Sequence, residues 1–550
     1  MDKMISKIEM LNEIGIALSS EKSNQRILEL ILQGAKQLTN ADGGTLYTLN
    51  ADDELVFEIV STDSLHIYMG GTSDHAIEFP NLPIHVEGHD NLSMVVTSAV
   101  VNDKTINISD AYHAKGYDFS GTRKFDESTG YRTKSLLTIP MKNHKSDIIG
   151  VLQLINSIDP DTCEVVDFSR EDQKLAESLA SQAAVALTNK ELIDEQKALF
   201  EAFIKIIATA IDEKSPYTGG HCRRLPELTM MIADACHNDK TGGLKDFIMT
   251  DRDRYELMIA GWLHDCGKVT TPEYVIDKST KLETIHDRIN TVNARFDILK
   301  RDARIELLET QLAAMKANNE KEASAAEQAY EAKIKQLDSD KSFIALANVG
   351  GEYMSEEKQA RVRQIANYQM SDGMGGRQNF LEEDEVKNLT ITKGTLTHEE
   401  REVINNHIVV TIKMLDQLPF PKHLENVAEY VGGHHERMDG KGYPKGLTRE
   451  QMSWPARMMG IADIFEALSA RDRPYKEGKK LSACLDILGK MKLDNHIDPE
   501  IFDVFVREKV YLQYAKAFLT PEQIDEVNHD EIPGYNCKEK KKQMNANERK

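Results

Sequence analysis

The chain has 550 residues, 40% of them apolar, and a formal net charge of −22. This length predicts roughly two to four domains, and the negative charge argues against a nucleic-acid polymer as partner, because phosphate backbones bind basic surfaces. The six cysteines include no metal-type C-x-x-C pair, the N-terminus has no signal-peptide pattern, and no apolar run is long enough to cross a bilayer. We therefore expect a cytoplasmic protein without membrane contact.

The N-terminal region, residues 1–168, combines a helical pattern with short apolar runs. These runs are typical of β-strands and occupy residues 44–48, 55–60, 135–140 and 148–155. Strands joined by hairpins and flanked by helices predict an α+β sensor domain.

Residues 169–211 predict one continuous connecting helix, since no proline or glycine interrupts the segment. Apolar side chains recur at seven-residue spacing at Val185, Leu192, Leu199 and Ile206. A seven-residue repeat favours parallel pairing with a second copy, so we expect a homodimer. A helix packed on its own domain is the alternative, because Asn189 and Gln196 interrupt the stripe.

Residues 283–392, called the insertion below, form a long helical pattern within the region 212–515. No proline occurs within the insertion, and its apolar residues keep a spacing of three or four. We therefore expect an antiparallel helical hairpin, with its reversal within 316–324 or 338–352.

Two further segments are polar or rich in glycine. Residues 371–376, Ser-Asp-Gly-Met-Gly-Gly, predict a mobile loop at the end of the insertion. The C-terminal extension, residues 516–550, ends in a polar, basic stretch that predicts disorder.

The motif richest in candidate ligands begins at His434 and runs His-His-Glu-Arg-Met-Asp-Gly-Lys-Gly-Tyr-Pro. A second dense pair, His264-Asp265, precedes it, and an isolated acid, Asp463, follows it. Neutral imidazoles with carboxylates are the ligand set of borderline divalent metals such as iron, manganese and zinc. A carboxylate beside a histidine can also bridge two ions. Together these residues predict a two-metal hydrolase, in which a metal-bridging hydroxide rather than a side chain is the nucleophile.

In their order along the chain, the motifs resemble those of the HD-GYP family, HD-domain phosphohydrolases that degrade cyclic dinucleotides. The matching blocks are Tyr217 to Arg224, His264 to Lys268, Leu396 to Glu400 leading to His407, His434 to Pro444, Asp463, and Arg473 to Tyr475. Six ordered blocks are far more specific than one His-Asp pair. The resemblance covers roughly residues 195–515 apart from the insertion. It implies that residues 212–515 form an all-α bundle, which residues 283–392 interrupt.

The resemblance implies two divalent metal ions, iron or manganese rather than zinc. It implies that these ions are held by His221, His264, Asp265, His407, His434, His435 and Asp463. Asp265 is expected to bridge the two ions. A third ion would need a glutamate where this chain has Tyr217.

The resemblance also implies that substrate contacts come from Lys268, Tyr443, Arg473 and Lys476. Lys268 follows Asp265 closely and would serve catalysis with it. Arg471 is an alternative to Arg473, because this chain has one extra residue there, and Asp439 is expected to orient the loop or an imidazole. Ordinary surface or core roles are assigned to His237, His286, His398, His423 and His496.

In the N-terminal region, residues 124–127 and 131–137 resemble a GAF domain of the cyclic-nucleotide-responsive kind. The resemblance implies an ion pair between Lys124 and Asp126 that supports a lid over a cyclic nucleotide or another small ligand. Arg123 stands where asparagine is usual. A GAF fold that serves only dimerisation, or another ligand, is therefore an equal alternative.

Taken together, the two resemblances imply a GAF-regulated phosphodiesterase that hydrolyses cyclic di-GMP to pGpG, with GMP as a potential further product. Hydrolysis of 3',3'-cyclic GMP-AMP is an alternative, because no residue fixes the identity of the bases. A receptor that binds cyclic dinucleotides but cuts them slowly is a second alternative.

Overall fold

A computed structural model describes residues 2–214, 220–371, 374–471 and 478–535. The chain divides into two compact units, residues 1–200 and 201–550. Each unit has its own hydrophobic core, and each is described separately below.

The first unit is built on an antiparallel sheet with the strand order β3-β2-β1-β9-β8-β7, in which β4 also pairs with β2 and β10 with β9; β5 and β6 form a separate hairpin. The strands are β1 (Ala41–Leu49), β2 (Glu54–Thr62), β3 (Ile67–Gly70), β4 (Leu82–Pro83), β5 (His85–Val86), β6 (His89–Asp90), β7 (Ile106–Ile108), β8 (Leu136–Lys142), β9 (Ile148–Ile158) and β10 (Val165–Val166). The helices that lie within this unit are α1 (Asp2–Ser20), α2 (Asn24–Thr39), α3 (Val95–Val101) and α4 (Ser120–Thr129).

The α+β fold is confirmed, because the four predicted strands correspond to β1, β2, β8 and β9. The main core of the unit joins apolar side chains of these strands with those of α1 and α2 and of residues 168–187, among them Ile31, Leu46, Leu152 and Leu179. Helix α2 is well delimited: the Ser23 hydroxyl accepts a hydrogen bond from the Arg26 amide, and Asn40 ends the helix in the left-handed conformation.

The connecting helix α5 runs without a break from Arg170 to Lys214. Its first part contributes to the core of the first unit through residues such as Leu179 and Ala183. The seven-residue stripe, by contrast, is open to solvent: the exposed fractions of Leu192, Leu199 and Ile206 are 46%, 58% and 63%. Exposed apolar residues at this spacing are typical of a coiled-coil seam.

The second unit is helical, as predicted. Its helices in the bundle are α6 (His221–Asn238), α7 (Asp251–Leu263), α8 (Glu273–Ile276), α13 (His398–Asn405), α14 (His407–Leu415), α15 (Val427–Gly433), α16 (Trp454–Ser469), α17 (Leu481–Leu493), α18 (Pro499–Arg507) and α19 (Val510–Phe518). Helices α6, α7, α15 and α16 pack on one another, and a 3₁₀ segment, Cys266–Thr270, packs on α14.

The insertion contains the predicted antiparallel hairpin, made of α9 (Ile289–Lys316) and α10 (Glu320–Val349). Its reversal at residues 317–319 lies in the first of the two expected places. The ion pairs Lys300–Asp338 and Lys341–Asp297 join the two helices in antiparallel register.

The rest of the insertion is more structured than expected. The hairpin is followed by α11 (Glu356–Ala366), the strands β11 (Gln369–Ser371) and β12 (Arg377–Asn379), and α12 (Glu383–Leu389). Phe296 and Phe380, with ring centroids 4.5 Å apart, lie in a core that these elements share. The glycine-rich segment expected as a mobile loop connects the paired strands β11 and β12, and its residues 372–373 lie outside the described part of the chain.

Two buried lysines anchor the insertion where it leaves and rejoins the bundle. The Lys278 ammonium donates to the Glu400 carboxylate at 2.8 Å, and that of Lys281 donates to the carbonyls of Leu389 at 3.2 Å and Ile391 at 2.7 Å. Lys281 has no exposed surface. Burial, with a smaller contribution from Lys358, lowers its pKa to about 8.

This low pKa predicts that stability depends on pH. The pKa of Lys281 is about 8 in the folded chain against 10.5 for an ordinary lysine, so the unfolded chain binds more protons between these values and the free energy of unfolding rises with pH. Between pH 7.5 and 9.5 we expect wild type to gain roughly 1–2 kcal/mol over Lys281→Met. Urea denaturation of both proteins at both pH values measures this difference. Parallel pH profiles of the two proteins would contradict the prediction.

Candidate metal centre

Helix ends position most of the predicted metal ligands. His221 and His407 are the first residues of α6 and α14, and the pairs His264-Asp265 and His434-His435 directly follow α7 and α15. Asp463 lies within α16. Gly220, with φ of 84°, makes the left-handed turn that starts α6. The fold therefore brings ligands from five distant parts of the sequence to one place.

His221, His264 and Asp265 form a first cluster. The Nε2 atoms of His221 and His264 are 3.0 Å apart, and Asp265 Oδ2 lies 2.9 Å from His264 Nε2 and 3.6 Å from His221 Nε2. Asp463 Oδ1 lies 3.4 Å from His221 Nε2, at the edge of this cluster.

Asp265, His407, His434 and His435 form a second cluster. Asp265 Oδ1 lies 3.2 Å from His407 Nε2, and the Nε2 atoms of His407 and His435 are 3.2 Å apart. Asp265 thus presents one carboxylate oxygen to each cluster. This is the arrangement expected of a carboxylate that bridges two ions.

Hydrogen bonds of the opposite ring nitrogens fix the tautomers of three histidines. The Nδ1 atoms of His264, His407 and His434 each lie close to the carbonyl oxygen three residues earlier, at distances of 2.9, 2.5 and 2.6 Å. A carbonyl only accepts hydrogen bonds, so Nδ1 carries the proton and Nε2 carries a lone pair. Metal-binding histidines are commonly oriented in this way.

The clusters consequently bring acceptor atoms face to face. Asp265 Oδ1 and His434 Nε2 are buried without a hydrogen-bond partner. Buried, unpaired acceptors are costly unless a cation lies between them. The donor set of imidazoles and carboxylates therefore fits divalent ions, as the sequence predicted.

The charge states of His434, His435 and Asp265 suit metal binding. Burial lowers the pKa of His435 to about 4 and holds that of His434 well below its usual value, so both rings are neutral. Burial alone would raise the pKa of Asp265, but the Lys268 ammonium beside it holds the pKa well below its ordinary value. Neutral imidazoles and an ionised carboxylate are the forms that bind metals.

Two glutamates that contact the candidate site were not singled out from the sequence. The buried Glu466 carboxylate accepts hydrogen bonds from His221 Nδ1 and, at 2.7 Å, from Arg224 Nε. The Glu436 carboxylate accepts from the amides of Lys445 at 2.7 Å and Leu447 at 3.0 Å, and so shapes the Gly-Tyr-Pro loop. The sequence signal for Glu466 was its position one helical turn after Asp463.

The predicted substrate residues are only partly described by the structure. The Lys268 ammonium lies 2.5 Å from Asp265 Oδ2, and Lys268 belongs to the 3₁₀ segment Cys266–Thr270. The Tyr443 ring stacks on His435 with centroids 4.8 Å apart. Tyr217, Arg473 and Lys476 lie outside the described residues.

Asp439 and Arg471 each form an ion pair with another side chain of the protein. Asp439 pairs with Arg437 at 3.0 Å, so it orients the loop rather than an imidazole. Arg471, the alternative phosphate ligand, lies 3.5 Å from Glu522 and is about half exposed.

The ion pair predicted between Lys124 and Asp126 is not found among the contacts of the described residues. Asp126 is buried and accepts hydrogen bonds from the Tyr112 hydroxyl at 3.0 Å and from the amide and hydroxyl of Thr133 at 2.8 and 2.9 Å, whereas Lys124 is exposed. Both residues lie on α4, where side chains two positions apart point in different directions. The expectation that Lys124 supports a lid through Asp126 is therefore corrected.

Two adjoining cavities open at the two clusters of candidate metal ligands. The smaller, about 210 Å³, is lined by His221, Asp265, His407, Lys268 and Arg224 among others. The larger, about 370 Å³, is lined by His434, Lys479 and His496 among others. Both share His435, Tyr443 and Asp463. His496, assigned an ordinary role from the sequence, thus lies in the wall of the same cleft.

Two family models match separate parts of the chain: a GAF domain model matches residues 23–187, and an HD domain model matches residues 384–501. The chain therefore contains a GAF domain followed by an HD domain. The HD match includes His407, His434, His435 and Asp463, but it begins at residue 384, near the end of the insertion, and so omits the His264-Asp265 pair.

Curated relatives of this GAF–HD protein carry the names of cyclic-dinucleotide phosphodiesterases. A 3'3'-cGAMP-specific phosphodiesterase from Vibrio cholerae is 41% identical over 16% of this chain and 21% of its own length. A cyclic di-GMP phosphodiesterase from Pseudomonas aeruginosa is 42% identical over 14% of this chain and 17% of its own length. The GAF–HD chain thus spans about a fifth of the length of these relatives.

Among solved structures, a GAF domain/HD domain protein from Geobacter sulfurreducens is 13% identical, with a TM-score of 0.22, over 32% of this chain and 98% of that chain. None of the described helices of the GAF–HD chain is both long enough and apolar enough to cross a membrane.

The hydrogen bond between Glu466 and His221 leads to a prediction about metal affinity. Glu466→Gln replaces a charged acceptor with a neutral one and should weaken binding of an ion in the first cluster by roughly 10–100-fold. Titration of metal-free protein with Mn²⁺, followed by paramagnetic resonance, measures this affinity. Glu450→Gln, at an exposed position, is the matched control. Equal affinities of both variants would refute the role of Glu466.

Proposed function

We propose that this GAF–HD protein is a metal-dependent phosphodiesterase that hydrolyses cyclic di-GMP to pGpG, with further cleavage to GMP. The observation that carries the proposal is the shared carboxylate: Asp265 joins two clusters of ligands at the opening of one cleft. The names of its relatives support a cyclic dinucleotide as substrate.

The proposed ligands are the seven residues predicted from the sequence. The first ion would be held by His221, His264, Asp265 and Asp463, and the second by Asp265, His407, His434 and His435. Two divalent ions, iron or manganese, would supply an acidified water and neutralise phosphate charge in the substrate. The choice of iron or manganese over zinc comes from the resemblance, because the donor types alone do not decide the metal.

The side chains around the ligands have complementary roles. We assign Lys268 to the scissile phosphate, because its ammonium lies beside Asp265 and lines the same cavity as the ligands. Tyr443 forms part of the wall shared by both cavities and would hold the nucleotide over the centre. Arg473 and Lys476 remain part of this proposal as phosphate contacts.

Hydrolysis of 3',3'-cyclic GMP-AMP is the second candidate. The specific observation in its favour is that two relatives from Vibrio cholerae, 41% and 37% identical over their matched segments, are named for that activity. Product chromatography with both dinucleotides distinguishes the two substrates.

The proposal also includes a cytoplasmic homodimer regulated by its GAF domain. The five described cysteines form no disulfide, which suits a reducing compartment. Burying the exposed stripe of α5 against a second copy would remove apolar surface from water, and the long helix would carry a change in the GAF domain towards the HD domain. A cyclic nucleotide or another small molecule is the proposed GAF ligand.

The bridging role of Asp265 predicts the first test. Asp265→Asn should lower turnover of cyclic di-GMP more than about 100-fold, because even residues that only orient a ligand contribute roughly 10–100-fold. Anaerobically purified protein, assayed for metal content and for pGpG, gives both readouts. Asp486→Asn, on α17, is the matched control. Metal-loaded wild type that binds the dinucleotide without cutting it would contradict the enzyme and favour a receptor.

Dimerisation through α5 predicts the second test. Leu199→Glu places a charge in the exposed stripe and should shift the protein from dimer towards monomer, because a buried, unpaired carboxylate is strongly unfavourable. Light scattering coupled to size-exclusion chromatography measures the mass. Ala198→Glu adds the same charge at the neighbouring exposed position outside the stripe. Dimers in both variants would refute this interface.

A further inference from the structure

The larger cavity is not confined to the predicted metal ligands. His434, His435 and Asp463 line it, and so do Lys479 and His496. Neither Lys479 nor His496 lines the smaller cavity, which contains Lys268. A ligand with one group at the clusters can therefore extend into a separate part of the cleft.

Lys479 has a fixed backbone and an exposed side chain. Its amide donates to the Leu468 carbonyl at 3.1 Å, and its carbonyl accepts from Gln523 Nε2 at 3.1 Å. No carboxylate of the described residues lies within ion-pair distance of its ammonium, although the chain as a whole is strongly acidic. A lysine held at the mouth of a cavity acts as a point charge that attracts an anion.

The remaining walls of this part are suited to a flat, uncharged group. Ile464 and Leu468 of helix α16 contribute apolar side chains. The small residues Ala467 and Ala470 keep the space open. His496 is partly buried, and burial lowers the pKa of its ring, which is therefore neutral. Imidazole and aliphatic surfaces are typical contacts of a nucleobase face.

We infer that this part of the cleft is the half-site for the second nucleotide of the substrate, in which Lys479 binds the phosphate that is not being cleaved. The inference rests on the proposed function. A cyclic dinucleotide carries two phosphates in one ring, so when one phosphate lies at the metal clusters the other must lie elsewhere in the cleft. His496 and the wall of α16 then contact the adjoining base.

The experiment compares Lys479→Met with two other variants. Lys479→Arg keeps the charge, and Lys480→Met changes an equally exposed lysine that does not line either cavity. The full-length protein is assayed with cyclic di-GMP, with 3',3'-cyclic GMP-AMP and with bis(p-nitrophenyl) phosphate. The last compound is a generic phosphodiester that has no second phosphate.

We expect Lys479→Met to lower kcat/KM for both dinucleotides by the same factor, roughly 10–100-fold, as for the loss of one charge-assisted contact. Lys479→Arg should retain most of the activity, and Lys480→Met should match wild type. Turnover of bis(p-nitrophenyl) phosphate should be unchanged in all three variants. His496→Ala should raise KM for the dinucleotides alone.

Several results would overturn the inference. A wild-type value in Lys479→Met removes the half-site but leaves the phosphodiesterase intact. An equal loss with bis(p-nitrophenyl) phosphate shows damage to the metal centre instead. A loss at least tenfold larger for cyclic di-GMP than for the mixed dinucleotide assigns Lys479 to a guanine edge, which presents two acceptors, and not to phosphate. Wild type that neither binds nor cuts any dinucleotide refutes the proposed function and the inference together.

Discussion

The close approach of several hydrogen-bond acceptors around Asp265 is the constraint on which the rest of this site depends. Three imidazoles are held with their lone pairs inward by carbonyls three residues earlier in the chain, and the Asp265 carboxylate is buried among them. Without a cation, such a group of acceptors is electrostatically unfavourable. The surrounding bundle must therefore supply the stability that holds the ligands in place before an ion binds.

The close approach of two backbones illustrates how the bundle does this. A Cβ atom on Gly267 would lie 2.0 Å from the His407 carbonyl oxygen, so only glycine allows the 3₁₀ segment to pack directly on α14. The Gly267 amide donates to Thr411 Oγ1 at 2.8 Å across the same contact. Asp265 and His407, which lie 142 positions apart in sequence, are thereby kept at a separation suited to one ion.

The candidate ligands could be picked out from the sequence because metal-binding chemistry restricts residue types and their order. His221, His264, Asp265, His407, His434 and His435 meet in two clusters, and Asp463 lies beside them. Glu466 was missed because its one sequence signal, a position one helical turn after Asp463, is not distinctive until His221 is placed against it. His496 was judged ordinary for the same reason. In the GAF region, a family pattern suggested an ion pair, but the direction of side chains on α4 decides that Asp126 bonds to Tyr112 and Thr133 instead.

The insertion is long in sequence but narrow at its base. Lys278 and Lys281, where the chain leaves the bundle, contact Glu400, Leu389 and Ile391, where it returns. Because entry and exit lie side by side, the two flanking segments meet much as they would if joined by a short turn, and the insertion folds around its own hydrophobic core. The insertion is therefore a module that folds separately from the bundle. It can be gained, lost or exchanged at one point of the chain, and the catalytic bundle need not be redesigned to accept it.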